Sequence, residues 1–129
     1  MSYSLYLHRY VKGKPAAIKR VDIEWQFTGA ITSSDESGFT LEYDGLNACD
    51  VICTAISHSI TIHRPCGDVL MADLIKIMQL GFICFGQDSV RIATIGNVIS
   101  DDLPEGMTDA IGPLCDTKTV AELERALFH

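Results

Sequence analysis

The chain of 129 residues lacks the features that would assign it to a membrane, secreted or disordered class. Its longest apolar run is far shorter than the roughly 20 residues that span a bilayer. Its first residues contain neither the positive cluster nor the apolar stretch of a signal peptide. Only four prolines are present and 47% of the residues are hydrophobic, which argues against disorder. We therefore predict a folded protein that stays in the cytoplasm.

Motifs that mark common enzyme classes are also missing. No Gly-Lys-Ser/Thr phosphate loop is present, and no Gly-x-Ser-x-Gly turn presents a serine nucleophile. Ser57, His58 and Asp50 are the residue types of a hydrolase triad, but without that turn their occurrence predicts little. The missing motifs favour a binding protein over an enzyme.

Cysteine occurs in an odd number, five, without a Cys-x-x-Cys pair. A disulfide framework uses an even number, and a free cysteine behaves as a small hydrophobic residue, so we predict reduced, packed thiols. His58 and His63 with Cys49, Cys53 and Cys66 are the one set of residues that could hold zinc. Their spacing argues against a site, because residues five apart on a strand face opposite sides. We expect neither a metal nor a cofactor.

The thiol of Cys66 supplies the main alternative interpretation. A reactive thiolate forms beside a base or a cation, and His63 and Arg64 lie close to this cysteine in the sequence. A small cytosolic thiol-dependent enzyme is therefore a second hypothesis. A regulatory or scaffold module that dimerises through an exposed sheet edge is a third.

Charge is distributed unevenly along the chain. Residues 1–20 hold five basic residues and no carboxylate, whereas residues 21–129 hold all 17 Asp and Glu against the other five basic residues. The two parts carry +5 and −12, which give the net charge of −7. A negative protein is disfavoured as a nucleic-acid binder, because phosphates attract Lys and Arg. A basic protein is the partner that this charge complements.

Alternating apolar residues predict strands through the first two thirds of the chain. In residues 2–11, for example, Leu5 and Leu7 alternate with polar side chains. Residues 51–56 and Ser59–His63 are two β-branched runs that form either a hairpin or one bent strand. Further strands are predicted at residues 39–43, 82–85 and 90–95. Turns or loops are predicted at residues 13–15, 32–38 and 44–45.

Two helices have clear boundaries. Asp68 is predicted at the N-cap of a helix over residues 69–80, which Gly81 ends. The capping-box pattern Thr-Val-Ala-Glu at residues 119–122 begins a last helix, and a short helix is predicted within residues 104–112. The expected fold is α+β in one domain over residues 1–129: a single mixed sheet with an amphipathic helix packed on one face and a C-terminal helix.

One segment, residues 18–27, fits two structures. Val21, Ile23, Trp25 and Phe27 alternate as in a strand, yet Val21 and Trp25 also share one face of a helix. The local pattern alone favours the strand.

The order of the elements resembles a known family. A tyrosine-rich first strand, a Gly-x-Pro turn at residues 13–15, a Phe-x-Leu-x-Tyr strand at residues 39–43, a strand ending in Arg64-Pro65 and an amphipathic helix running into Gly81 follow one another. This order resembles small bacterial immunity proteins encoded beside polymorphic toxins, in particular those of contact-dependent growth inhibition systems. The resemblance implies a helix for residues 18–27, and we adopt that prediction.

The resemblance also implies a function. Such proteins are non-enzymatic inhibitors that bind the toxic C-terminal domain of a cognate effector and block its active site or substrate groove. A nuclease toxin must be basic to hold phosphates, so an acidic protein complements its surface. We expect no nucleic acid, membrane or small-molecule substrate as a partner. The predicted partner-binding residues are chosen on charge alone and are Asp35, Glu36, Asp44, Asp50, Asp101, Asp102, Glu105 and Asp109. The alternative is that the acidic runs at residues 35–36 and 101–109 are solvated loop faces.

Overall fold

The structure is a computed structural model that describes residues 3–27, 29–43, 48–65, 67–96 and 100–128. Its strands are β1 (Ser4–Val11), β2 (Lys14–Pro15), β3 (Ile18–Lys19), β4 (Ile31–Ser34), β5 (Gly38–Glu42), β6 (Ala48–Ile52), β7 (Ile56–Ser57), β8 (Ser59–His63), β9 (Phe82–Gly86), β10 (Ile92–Thr94) and β11 (Leu114–Asp116). Its α-helices are α1 (Arg20–Glu24), α2 (Gly67–Met78), α3 (Met107–Ala110) and α4 (Val120–Phe128). Short 3₁₀ helices lie at Trp25–Phe27 and Ser100–Asp102.

One large sheet dominates the fold. Its strands follow the order β11-β10-β9-β1-β8-β6-β5-β4, and β2 pairs with β1 outside this path. The pairings within it are antiparallel except that of β10 with β11, which is parallel. The α+β prediction with a single mixed main sheet is therefore confirmed. The small β3–β7 pair lies outside this sheet.

The main core lies between one face of the sheet and the helices. β1 contributes Leu5 and Leu7, β8 contributes Ile60 and Ile62, and α2 contributes Leu74, all at most 1% exposed. Burying each such side chain contributes roughly 1.5–3 kcal/mol to the free energy of folding. The helix packed on one face and the C-terminal helix are both confirmed, since residues of α2 and α4 belong to this core.

A second, smaller core lies on the opposite side of the sheet, at its β9–β10 end. Ile83 and Ile92 are buried there under Leu103, with Met107 and Ile111 packed against them. The residues before and after Ile83 are also buried, and alternation along a strand places them on the other face. Residues 100–111 therefore cover only one end of this side of the sheet.

The ambiguous segment is helical from Arg20 onward, as adopted. Ile23 and Phe27 are buried four residues apart, while Val21 and Trp25 are exposed, so one helical face packs on the core. The first two residues of the predicted helix instead form β3, which pairs with β7.

Three predictions about strands and loops need correction. The loop predicted at residues 32–38 contains most of β4, because backbone pairing with β5 does not require apolar side chains on an edge strand. Of the strand predicted at residues 51–56, only the first two residues belong to β6, which ends at Ile52, and the last belongs to β7. β6 pairs antiparallel with β8, as in the hairpin alternative, but the connection between them is residues 53–58 and contains β7. The strand predicted at residues 90–95 shortens to Ile92–Thr94, and β11 has no counterpart among the predictions. The turn at residues 44–45 lies outside the described residues.

Helix ends differ in detail from the prediction. α2 begins at Gly67, so Asp68 lies in its first turn and not at the N-cap. The predicted capping box is confirmed, because the Thr119 hydroxyl accepts a bond from the Glu122 amide at 3.2 Å and donates to the Glu122 carboxylate at 3.3 Å. The helix predicted within residues 104–112 is reduced to Met107–Ala110.

The turn predicted at residues 13–15 lies one residue earlier, at residues 12–13, where it joins β1 and β2 as a hairpin; residues 14–15 form β2. Lys12 and Gly13 have φ angles of 52° and 80°, which suit the two central residues of a type I′ turn. Among the described residues, no helix has the length and apolar content needed to cross a bilayer.

Candidate functional site

The side of the sheet away from the main core is half exposed over most of its width. We call it the open face and define it by the side chains that β9, β1, β8, β6 and β5 direct away from that core. Its residues are Phe85, Tyr6, His8, Ser59, Thr61, His63, Asp50, Ile52, Thr40 and Glu42. No local motif predicts a surface of this kind, because it joins residues from five strands.

Aromatic rings occupy the β9–β1 half of the open face. The ring centroids of Tyr6 and Phe85 lie 5.6 Å apart, and those of His8 and Phe85 lie 5.2 Å apart. His8 Nδ1 and the Tyr10 hydroxyl are 2.9 Å apart and share a hydrogen bond. Burial, and to a lesser degree the nearby His58, lowers the pKa of His8 below its usual range. The cluster therefore combines aromatic ring contacts with a hydrogen bond between two of its polar groups.

A polar row crosses the β8–β5 half of the open face. His63 Nδ1 lies 2.8 Å from the Ser4 hydroxyl, and Asp50 is paired with His63 across β6 and β8. The Asp50 carboxylate accepts hydrogen bonds at 3.1 Å from both the Thr40 hydroxyl and the Arg64 guanidinium. Asp50 retains 49% exposure of its side chain, so a partner can reach it.

The first acidic group predicted to bind a partner lies at one margin of the open face. Asp35 and Asp50 line the same depression of about 330 Å³, formed by β4, β5 and β6. The Asp35 carboxylate accepts bonds from the Ser37 hydroxyl and from the amides of Ser37 and Gly38, and these bonds hold its pKa below the usual value. Glu36 is exposed at the turn between β4 and β5.

The second acidic group lies at the opposite margin. Asp101, Glu105 and Asp109 are exposed on the segment that covers the β9–β10 end, and Asp102 is half-buried there. Five strand intervals separate β10 from β5, which is about 24 Å at the usual strand spacing. The predicted partner-binding residues therefore form two separate groups, and Asp44 lies outside the described residues.

Part of the basic N-terminal segment is structural, and part lies beside the second acidic group. The Arg9 guanidinium donates to the carbonyls of Leu80 and Ala16, each at 3.0 Å. The Gly13 amide donates to the Asp102 carbonyl at 3.0 Å, which brings the exposed lysines of the β1–β2 turn close to these carboxylates. The positive and negative parts of the sequence are thus not separate regions of the fold.

Arg20, the first residue of α1, links this helix to the turn between β4 and β5 that carries Asp35 and Glu36. Its guanidinium donates to the carbonyls of Asp35 at 2.6 Å, Gly38 at 2.8 Å and Cys53 at 3.1 Å. It also lies 3.7 Å from the Glu24 carboxylate. This role was missed from the sequence, where Arg20 was counted only as a positive charge.

The cysteines of the described residues are free thiols. Cys49, Cys53 and Cys84 are buried and Cys115 is half-buried, which confirms the prediction of packed thiols for the first three. Burial raises the pKa of Cys84 to about 12. Cys66 lies outside the described residues. Nowhere in residues 3–27, 29–43, 48–65, 67–96 and 100–128 do three or more His, Cys, Asp or Glu side chains gather as a metal site.

A second surface has exposed hydrophobic residues, and the sequence analysis did not single it out. Val21, Trp25 and Ile56 are 53%, 69% and 68% exposed. They lie on α1, on the 3₁₀ helix that follows it and on β7, and β7 pairs with the strand just before α1. The spacing of Val21 and Trp25 could have indicated an exposed helical face once Ile23 and Phe27 were assigned to the core.

No family model, curated protein or solved structure matches this chain.

Proposed function

We propose that this protein is a non-enzymatic immunity protein that binds and neutralises a cognate toxin domain. The toxin is a basic nuclease, and binding blocks its active site or substrate groove. The order of sequence elements described above motivates the family, and the surface chemistry supports the mode of action.

The observation that carries the proposal is that several surface carboxylates are exposed and form no ion pair among the described residues. Glu36, Asp101, Glu105 and Asp109 are exposed and form no ion pair with any residue that the structure describes. Such charge keeps a protein soluble, and because these carboxylates are not occupied by ion pairs they are also accessible to a partner of opposite charge. A nuclease surface that holds phosphates is such a partner.

The mechanism follows from electrostatics. Carboxylates at the margins of a binding surface raise the association rate with a cationic partner, and salt screens this attraction over about 8 Å at physiological ionic strength. Once bound, an acidic protein occupies the groove that nucleic acid would occupy. Inhibition therefore requires no catalytic group on this chain.

Isothermal titration calorimetry tests the proposal with the C-terminal domain encoded immediately upstream of this gene, in a catalytically inactive form. We expect calorimetry to show a tight 1:1 complex. The association rate, measured by stopped-flow binding, should fall as salt is raised. In a nuclease assay, this protein should abolish the activity of the active domain. The absence of a toxin-like gene at that position, or of a complex, would contradict the proposal.

A pair of double variants with equal net charge locates the electrostatic contribution. Asp101→Lys with Glu105→Lys should slow association at least about tenfold, because charge at a binding margin changes the on-rate. Asp22→Lys with Asp88→Lys reverses the same number of exposed carboxylates elsewhere and should have a smaller effect. Equal effects of the two pairs would show that only overall charge matters.

A further inference from the structure

We infer that the toxin domain docks on the open face itself, with the two acidic groups as the margins of one continuous interface. This inference rests on the proposed function and specifies its contact surface. The occupant is the basic, substrate-binding surface of the toxin domain, and its centre must be apolar or aromatic enough to meet Tyr6, Phe85 and Ile52.

Charge complementarity favours this face. The open face carries Asp50 and Glu42, and both acidic groups lie at its ends. Its described cation, Arg64, is already bound to Asp50 at 3.1 Å. A cationic partner therefore meets carboxylates at both margins and Glu42 on the face itself, although Arg64 offsets Asp50 and the lysines of the β1–β2 turn lie beside the second acidic group.

Area explains why both margins are needed. From β9 to β5 the open face spans four strand intervals, about 19 Å, and three rows of side chains cover about 13 Å along the strands. The product, about 250 Å², is well below the roughly 800 Å² that each partner buries in a stable complex. A partner seated on the open face must extend over the neighbouring loops, which hold the two acidic groups.

The chemistry of the centre matches known binding hot spots. Tyr6, Thr61 and Ile52 lie side by side on β1, β8 and β6, and Ile52 keeps 46% exposure. Aromatic and apolar groups enclosed by a polar rim account for most of the affinity in protein interfaces. The rim carboxylates then set the association rate, and the centre sets the dissociation rate.

The patch of Val21, Trp25 and Ile56 is the competing surface. It is more apolar, and an exposed charge of each sign borders it: Lys19, which is paired with Ile56 across β3 and β7, and Asp22, which follows Val21 on α1. One charge of each sign gives this patch no net attraction for a basic toxin. This surface therefore serves as the matched control.

Calorimetry and stopped-flow binding to the inactive upstream-encoded domain test the inference with single arginine substitutions. Ile52→Arg and Thr61→Arg place a bulky cation in the open face and should weaken the equilibrium affinity at least about 30-fold, mainly through faster dissociation. Val21→Arg and Ile56→Arg add the same side chain to the competing patch and should change the affinity by less than about threefold. Thermal unfolding of each variant, with circular dichroism, establishes that it is folded.

Each outcome is decisive. A complex that tolerates folded Ile52→Arg and Thr61→Arg overturns this inference but leaves the proposed function standing. A complex lost through Val21→Arg or Ile56→Arg, with the open-face variants unaffected, moves the interface to the competing patch. If Thr61→Arg fails to fold, Ile52→Arg alone decides, because its exposed position tolerates a large side chain. A wild-type protein that forms no complex overturns both proposals.

Discussion

The two faces of the central sheet differ in chemistry although the same strands build both. On β8, Ile60 and Ile62 point into the main core, while Thr61 and His63 point to the open face. The covered face stabilises the fold through apolar burial, and the open face contributes polar and aromatic groups that remain accessible. A period of two within one strand thus separates the side chains that stabilise the fold from those that remain accessible.

The sharpest test of this comparison uses adjacent residues. Ile62→Ala removes a fully buried side chain and should lower the free energy of unfolding by about 2–5 kcal/mol. Thr61→Ala on the open face should lower it by less than about 1 kcal/mol. Urea unfolding followed by fluorescence measures both. Similar losses would mean that the open face is as important for folding as the core.

The second test concerns the hydrogen bonds by which Arg20 links α1 to the turn between β4 and β5. Arg20→Ala removes the donor for three backbone carbonyls and should cost about 1–3 kcal/mol of stability. Faster hydrogen exchange at residues 35–38 should accompany it. Lys19→Ala, at the preceding exposed position, is the control and should leave both quantities nearly unchanged. Unaltered exchange in Arg20→Ala would show that the turn at residues 35–38 does not depend on the Arg20 hydrogen bonds for its stability.

The smallest expected effect is the pH dependence of the open face. Burial lowers the pKa of folded His8 below the unfolded value of about 6.5, so the unfolded state binds more protons as pH falls. The contribution of His8 to stability is therefore complete above about pH 6.5 and is lost as pH falls below it. His8→Gln should flatten the slope of stability against pH between about 7 and 5. If the substitution leaves this slope unchanged, titratable groups other than His8 cause the pH dependence of stability.

Local pattern was sufficient to predict an element where the spacing of neighbouring residues fits only one type of secondary structure. The alternation of Leu5 and Leu7 identified β1, and the spacing of Thr119 and Glu122 located the start of α4. β11 was not predicted, because the three residues after Gly112-Pro113 are too few to show a periodicity. Only their pairing with β10 makes them a strand. β4 escaped because its side chains are polar and its partner is supplied by tertiary structure.

The candidate surface was predictable only as a list of charges. The sequence identified the carboxylates, since an excess of Asp and Glu is a matter of counting. It did not show that Asp35 and Asp50 line one depression, or that Asp101 and Glu105 lie at the far margin. Strand order decides such distances, and the long-range backbone pairing that sets the order has no local signature.

By itself, the sequence determined an acidic α+β protein with packed thiols and two well-marked helices, because burial and capping are encoded by neighbouring residues. Only the tertiary structure decided that the lysine-bearing β1–β2 turn lies against the acidic segment around Asp102, and that an aromatic and polar open face joins the two acidic groups. The physical reason is the crossing of the chain from one edge of the sheet to the other. Residues distant in sequence become neighbours through backbone hydrogen bonds, to which every residue type except proline can donate.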